Sequence, residues 1–182
     1  MTRDTPRQLE GESIRLRRLS VDDVTNMHAA AVESAAELET TVPWFRGMTV
    51  ESFDSWATWA VEAWDRGEHY ELSIFAADGN YLGSAGLTVD AKTMSANLPY
   101  WVRTSGTRRG VASEAARLVS RWAIETLGLQ RVEIFISEHN VASQMAARKS
   151  GARFEGVLRN KIRWQEHAYD AHVFSFAPGD FA

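Results

Sequence analysis

A strand-like run ends near Arg103 and an amphipathic run begins at Val111. The connection between them, Thr107-Arg108-Arg109-Gly110, is basic and carries a glycine. Strand, short glycine-containing loop and helix in that order belong to α/β architecture. The start of such a helix presents free backbone N–H groups and the positive end of a dipole, which together favour a phosphate. Val111 and Ala112 stand where a P-loop needs Lys and then Ser or Thr, so that motif is excluded. The three spaced glycines of a dinucleotide fingerprint are also missing. Small residues Gly110, Ala112 and Ser113 at the helix mouth would let a diphosphate approach the backbone, with Arg108 and Arg109 as charged donors. The same spacing also suits an ordinary helix start with solvated arginines.

Hydrophobic spacing places the other elements. Ile14, Leu16 and Leu19 predict a first strand, and Ser20 is an N-cap candidate for a helix through Val24, Met27 and Ala31. Residues 34–48 read as a loop or short helix. A second helix starts at the cap Thr49, carries Phe53, Trp56, Ala60, Ala63 and Trp64 on one face, and ends at Gly67. Asp78-Gly79-Asn80 divides two strand-like runs, Tyr70 to Ala77 and Tyr81 to Val89, as a hairpin turn does. A strand over 96–103 precedes the basic loop. After the helix from Val111, Val132, Ile134 and Ile136 alternate in a strand. Asn140 opens a short helix that Gly151 closes, and 152–157 and 169–176 read as the last strands. The order β-α-α-β-β-β-α-β-α-β-β is a mixed α/β sheet, neither doubly wound nor a barrel.

The 182 residues suit one domain, with 1–10 a loose leader and 11–182 the folded unit. There is no cysteine, which excludes disulfides, thiolate zinc sites and a Cys nucleophile and fits a reducing cytoplasm. The net charge of −4 argues against broad nucleic-acid binding. Met1 to Glu10 lack the apolar core of a signal peptide, and no run of about 18 apolar residues predicts a membrane span.

Several residues beyond the loop could carry chemistry. Pro99 inside a strand marks an edge or a bulge. Asn140 and Ser143 have the spacing of an N-cap and a first-turn hydroxyl. Trp56 and Trp64 share a helix face and read as core, whereas Trp44 and Phe45 beside Pro43 could line a cleft. His167, Asp170 and His172 look like metal ligands, but a strand would not hold all three on one side, so no metal site is expected.

The loop resembles the acetyl-CoA pyrophosphate loop of the GNAT acyltransferases, Q/R-x-x-G-x-G/A. Gly110 and Ala112 match its last two fixed positions, and Thr107 stands where Gln or Arg is usual. Asn140-Val141-Ala142-Ser143 followed by Lys149-Ser150-Gly151 and Glu155-Gly156 is similar to the second motif of the family, with Ala152 in place of its Phe. Gly128 to Glu133, Leu98-Pro99-Tyr100-Trp101-Val102 and Val42-Pro43-Trp44 resemble further family segments. Together they are most similar to the RimJ/RimL-type branch, over roughly residues 10–177.

The resemblance implies a GNAT fold, a mostly antiparallel sheet of about six to seven strands splayed between the fourth and fifth. It implies acetyl-CoA as co-substrate, with Arg108, Arg109, Gly110, Val111, Ala112 and Ser113 at the diphosphate. Backbone of Val102 and Arg103 would contact the thioester and Asn140 the pantetheine. Ser143 would protonate the departing thiolate, since no Tyr lies between Asn140 and Gly156. Ile162 occupies the position of a family Glu considered for the base, leaving Glu166, Glu138, His139, Tyr100 and Glu71 as substitutes. Each of these also reads as a surface or packing residue. The implied acceptor is a protein amino terminus, or otherwise a small amine, and a homodimer is expected. A non-catalytic acyl-CoA-binding module is the competing expectation.

Overall fold

The computed structural model describes residues 8–41, 47–164 and 166–181. Nine strands form one sheet: β1 (Gln8–Glu10), β2 (Ile14–Arg18), β3 (His69–Ala76), β4 (Tyr81–Asp90), β5 (Ser95–Asn97), β6 (Tyr100–Val102), β7 (Arg131–Ser137), β8 (Arg153–Trp164) and β9 (His167–Phe176). Among the described residues five helices accompany them: α1 (Val24–Glu33), α2 (Ala35–Thr41), α3 (Val50–Arg66), α4 (Val111–Glu125) and α5 (Val141–Lys149). The sheet order is β1-β2-β3-β4-β5-β7-β9-β8, with β6 paired to β4 alone. Every pairing is antiparallel except β5 with β7.

Local signals set many boundaries. Ser20 caps a 3-10 turn that runs into α1, in a capping box with Asp23. The Thr49 hydroxyl accepts from Ser52 N–H, and Gly67 ends α3 in the left-handed conformation at φ 72°. Val132, Ile134 and Ile136 are buried on one face of β7, as their alternation predicts.

Three features depart from the sequence reading. Gln8–Glu10 are paired to β2 instead of belonging to a loose leader. The strand expected over 96–103 is two strands, because Leu98 and Pro99 interrupt it. The strand expected over 152–157 continues to Trp164 through two irregularities in its register. The sheet therefore has more strands than the six to seven expected, within the same class.

Helices cover both faces. Leu72, Ile74, Leu87, Val132 and Ile134 pack with Val111, Ala115 and Val119 of α4. Phe75, whose side chain takes the opposite face of β3, packs with Met27 of α1 and Phe53 of α3.

The sheet opens after β5. Ala96 pairs with Val132, and Leu98 N–H donates to Glu133 O at 2.8 Å. Beyond that point β6 follows β4, whereas Ile134 to Ser137 of β7 follow β9. Gly83 lets β6 lie close to β4. Its φ is 148°, and a Cβ there would sit 2.1 Å from Trp101 O. Gly83→Ala should push the two strands apart and cost about 1–3 kcal/mol of stability, read from urea unfolding.

Candidate active site

The gap between β6 and β7 is edged with main-chain polar groups. Arg103 N–H donates to Leu82 O, and Gly86 N–H donates to Pro99 O. An antiparallel ladder alternates, so Trp101 also faces β4, and Tyr100 and Val102 turn their N–H and C=O groups away from it. Those groups point to the side from which β7 has diverged. Of the two backbone positions expected at a thioester, Val102 therefore faces the gap, whereas the Arg103 N–H is committed to β4.

The basic loop folds back beneath the gap. A Cβ on Gly106 would lie 3.1 Å from Val102 Cγ1. Arg108 and Gly110 both have left-handed backbones, φ 61° and 86°. Gly110 is the N-cap of α4 and supplies no side-chain cap to the first N–H groups of the helix. The Ser113 hydroxyl donates to Gly110 O at 2.9 Å, which keeps it inside the helix mouth. Arg108 and Arg109 are exposed, and Ala112 is half-buried. Lys149, from the end of α5, adds a cation that the sequence reading did not assign. Its Nζ is 3.7 Å from where a Gly110 Cβ would be.

On the far side of the gap, Asn140 caps α5, its side-chain oxygen accepting from Ser143 N–H at 3.0 Å. Its amide NH2 keeps its donor capacity. The Ser143 hydroxyl donates to Tyr100 Oη at 3.1 Å, and Tyr100 donates in turn to Ser143 O at 3.2 Å. No Tyr occurs on α5, yet β6 delivers one to Ser143. Burial pushes the Tyr100 hydroxyl above its ordinary range, so it stays protonated near neutral pH.

The opposite face of the sheet carries a cavity of about 170 Å3 beside Pro99 and Tyr100. Glu71 and His69 belong to its wall, both buried, with Nε2 and Oε2 2.9 Å apart. With Glu71 ionised, His69 Nε2–H donates to it and Nδ1, 3.1 Å from Thr88 Oγ1, accepts from that hydroxyl. Trp59 lies against the imidazole, ring centroids 5.1 Å apart. His69 was missed in the sequence because it stands at the strand end. Its signal is the i, i+2 spacing with Glu71, which places two polar side chains on one strand face.

The remaining candidates lie elsewhere. Glu138, exposed, accepts from Asp170 N–H at 3.3 Å, and His139 and Glu166 are exposed. Ile162 pairs with Tyr169 in the β8–β9 hairpin. Among the described residues no group of three or more His, Cys, Asp or Glu could hold a metal ion, and His167, Asp170 and His172 do not gather. Glu155 ties strands together, accepting from Ser175 Oγ at 2.6 Å and from Arg131 at 3.3 Å. Those two partners hold its carboxyl below the usual range. Trp44 and Phe45 fall outside the described residues.

Residues 13–153 match the family model described as the GNAT acetyltransferase domain. The Bacillus subtilis (strain 168) protein named "Probable N-acetyltransferase YjcK" is 28% identical over 126 residues, 65% of this chain and 70% of that one. The structure of RimL, ribosomal L7/L12 alpha-N-protein acetyltransferase, in complex with coenzyme A superposes with a TM-score of 0.84 at 17% identity, covering 95% of this chain and 97% of that one. The structure of the acetyltransferase that modifies the N-terminal serine of 50S ribosomal subunit protein L7/L12 from Salmonella typhimurium gives a TM-score of 0.82 at 17% identity, covering 92% of this chain and 96% of that one.

A clamp from α1 holds the start of the basic loop. Glu33 pairs with the Arg103 guanidinium and accepts from Ser105 N–H at 2.9 Å, and the Ser34 hydroxyl accepts from Thr104 N–H at 2.9 Å. The Arg103 guanidinium, then Ser105 N–H, lower the Glu33 carboxyl from 4.5 to about 2. A carboxyl lowered by folding contributes its full stability above the unfolded value and loses it as pH falls through the folded one. The stability difference between the native protein and Glu33→Gln should therefore be constant above pH ~5.5 and shrink steadily towards pH ~2, measured by urea unfolding across that window.

Proposed function

The chain belongs to the GNAT acetyltransferase family, and from that premise we propose that it moves acetyl from acetyl-CoA to a protein amino terminus by direct attack in a ternary complex. The observation that carries the reading is the gap between β6 and β7, with the uncapped α4 start below it and Glu71 across the sheet. The coenzyme A bound to RimL, and the amino-terminal substrates named for RimL and the Salmonella typhimurium protein, support the choice of donor and acceptor.

Each residue has a task on this reading. The N–H groups of Gly110, Val111, Ala112 and Ser113, with Arg108 and Arg109, hold the diphosphate. Asn140 donates from its amide NH2 to the pantetheine arm. Val102 N–H donates to the thioester oxygen and stabilises the negative charge that grows there during attack. Arg103 acts through its clamp, keeping the loop under the gap. Glu71, backed by His69, accepts a proton from the incoming ammonium and frees the nitrogen lone pair. The nitrogen then bonds to the carbonyl carbon and the C–S bond breaks. Of the two protons the ammonium loses overall, one leaves through Glu71 to solvent. The other passes to solvent, and the Ser143–Tyr100 pair, having given a proton to sulfur, takes one back from solvent. With no cysteine in the chain, an acyl-Cys intermediate is excluded.

The test is purified protein with acetyl-CoA and amino-terminal peptides, read by thiol release and by mass spectrometry of the peptide. Acetyl on the α-amine is expected. Coenzyme A binding without thiol release above background would remove catalysis from the reading. Glu71→Gln should lower kcat by about 10²-fold or more and leave acetyl-CoA binding intact. Gly110→Glu should abolish that binding in calorimetry, because its side chain sets negative charge against the phosphates.

A further inference from the structure

The cavity beside Glu71 also bears on which amino terminus. Resting on the reading above, we infer that the preferred acceptor begins with a large apolar residue of the size of Leu, Met or Phe, not with Ser or Ala.

Three observations carry this. The first is size. The cavity is about 170 Å3, and an apolar protein cavity of about 150 Å3 accommodates benzene. A leucyl or phenyl group therefore fits, and a hydroxymethyl or methyl group leaves most of the space unfilled. The second is lining. Met27 and Phe53 are buried in its wall, and Met48, Trp56, Pro99 and Trp101 add further apolar lining. Thioether and aromatic surfaces adapt to apolar side chains of varied shape. The third is charge. Among the described residues of the lining, Glu71 is the only carboxylate. One ammonium beside it is matched, and a second cation on the same acceptor would enter apolar surroundings without a partner. An α-ammonium with an apolar side chain satisfies all three conditions. A polyamine fails the third, and an amino-terminal Ser or Ala fails the first two.

The difference between the filled and the empty cavity should be at least tenfold in kcat/KM, since even one methylene in an apolar pocket is worth about that much. Peptides identical except for a first residue of Leu, Met, Phe, Ala or Ser are compared in one competition, with spermidine and phenethylamine as separate arms. Leu, Met and Phe peptides are expected to lead by tenfold or more, through KM more than kcat, and spermidine to be unused. Equal rates, or a lead for Ser or Ala, overturn the inference and leave transfer to amino termini standing. Turnover of phenethylamine with none of any peptide overturns the amino-terminal reading itself. Binding gives a measurement independent of turnover, because Trp56 and Trp101 line the cavity. Leucinamide should change tryptophan fluorescence saturably and bind at least tenfold more tightly than alaninamide, and equal affinities overturn the inference even in an inactive preparation. Trp56, half-buried at the cavity, should set part of the preference. Trp56→Ala should bring the Leu-to-Ser ratio down at least fivefold, and Met48→Ser should lower it too. A ratio unmoved by both removes the cavity from acceptor choice.

Discussion

Leu98 N–H donates to Glu133 O, and the next residue, Pro99, has no N–H to continue that line of bonds. Its carbonyl accepts instead from Gly86 N–H of β4. The parallel pairing of β5 with β7 stops there, and the chain leaves β7 to follow β4 as β6. The cost of opening a sheet is unpaired backbone, and such groups in a protein interior need a partner. On the proposed function, a polar ligand threaded through the opening would supply one and turn a break in the ladder into a recognition surface. Because the next chain segment is the basic loop, the same break also decides where the α4 dipole points.

The opening needs walls that do not drift, and the side-chain bonds around it connect segments distant in sequence. Glu33, Ser34 and Glu37 of the α1–α2 corner bond to Arg103, Thr104 and Ser105 at the loop start. Tyr100 and Ser143 join β6 to α5 across the mouth. The α1 side bears the cavity beside Glu71 through Met27, so the Glu33 clamp ties the cavity wall to the basic loop. The clamp is partly exposed, with the Arg103 side chain at 25% and Glu33 at 31%. Its importance is therefore more geometric than energetic, as for other surface ion pairs.

What the sequence reveals is what neighbours in the chain determine. The hairpin at Asp78-Gly79-Asn80, the caps Ser20 and Thr49, the stop at Gly67 and the alternation of β7 all depend on residues within one turn or one strand. The Gly110 loop was legible for the same reason, and Pro99 as an interruption. Which strand would be abandoned at Pro99 was not, because pairing partners are set by the whole sheet. Gln8–Glu10 form a strand only because β2 offers an edge. β8 runs past residue 157 because bulges at Gly156 and near Asn160 restore its pairing, and these break the alternation that would have announced it. Tyr100 and Ser143 are 43 residues apart, so their contact has no local signature. The Glu155-Gly156 pair of the motif was legible as a motif but not as what it is here, a tie at the sheet edge next to a bulge.

Gly86 connects the opening to the carboxylate proposed to take the proton. Its N–H holds Pro99 O at 2.9 Å on one side. On the other it faces Glu71 in the β3–β4 ladder, where a Cβ would stand 2.1 Å from Glu71 Oε2 and 3.0 Å from His69 Cε1. The absent side chain is the space in which the carboxylate lies. Glu71 of β3, Gly86 of β4 and Pro99 just before β6 thus form one line across the sheet, two strand spacings or roughly 10 Å between the outer backbones. A glutamate side chain and one water molecule cover such a span. Main-chain hydrogen bonds fix that distance more tightly than a flexible side chain on a loop would, and proton transfer is sensitive to it. A carboxylate on the β8–β9 hairpin would depend on a strand with irregular register. At Ile162 this chain has none, and the dyad stands instead on His69 to Ile74 of β3, which pair with β4 ahead of that ladder's one irregularity at Ile74/Phe75.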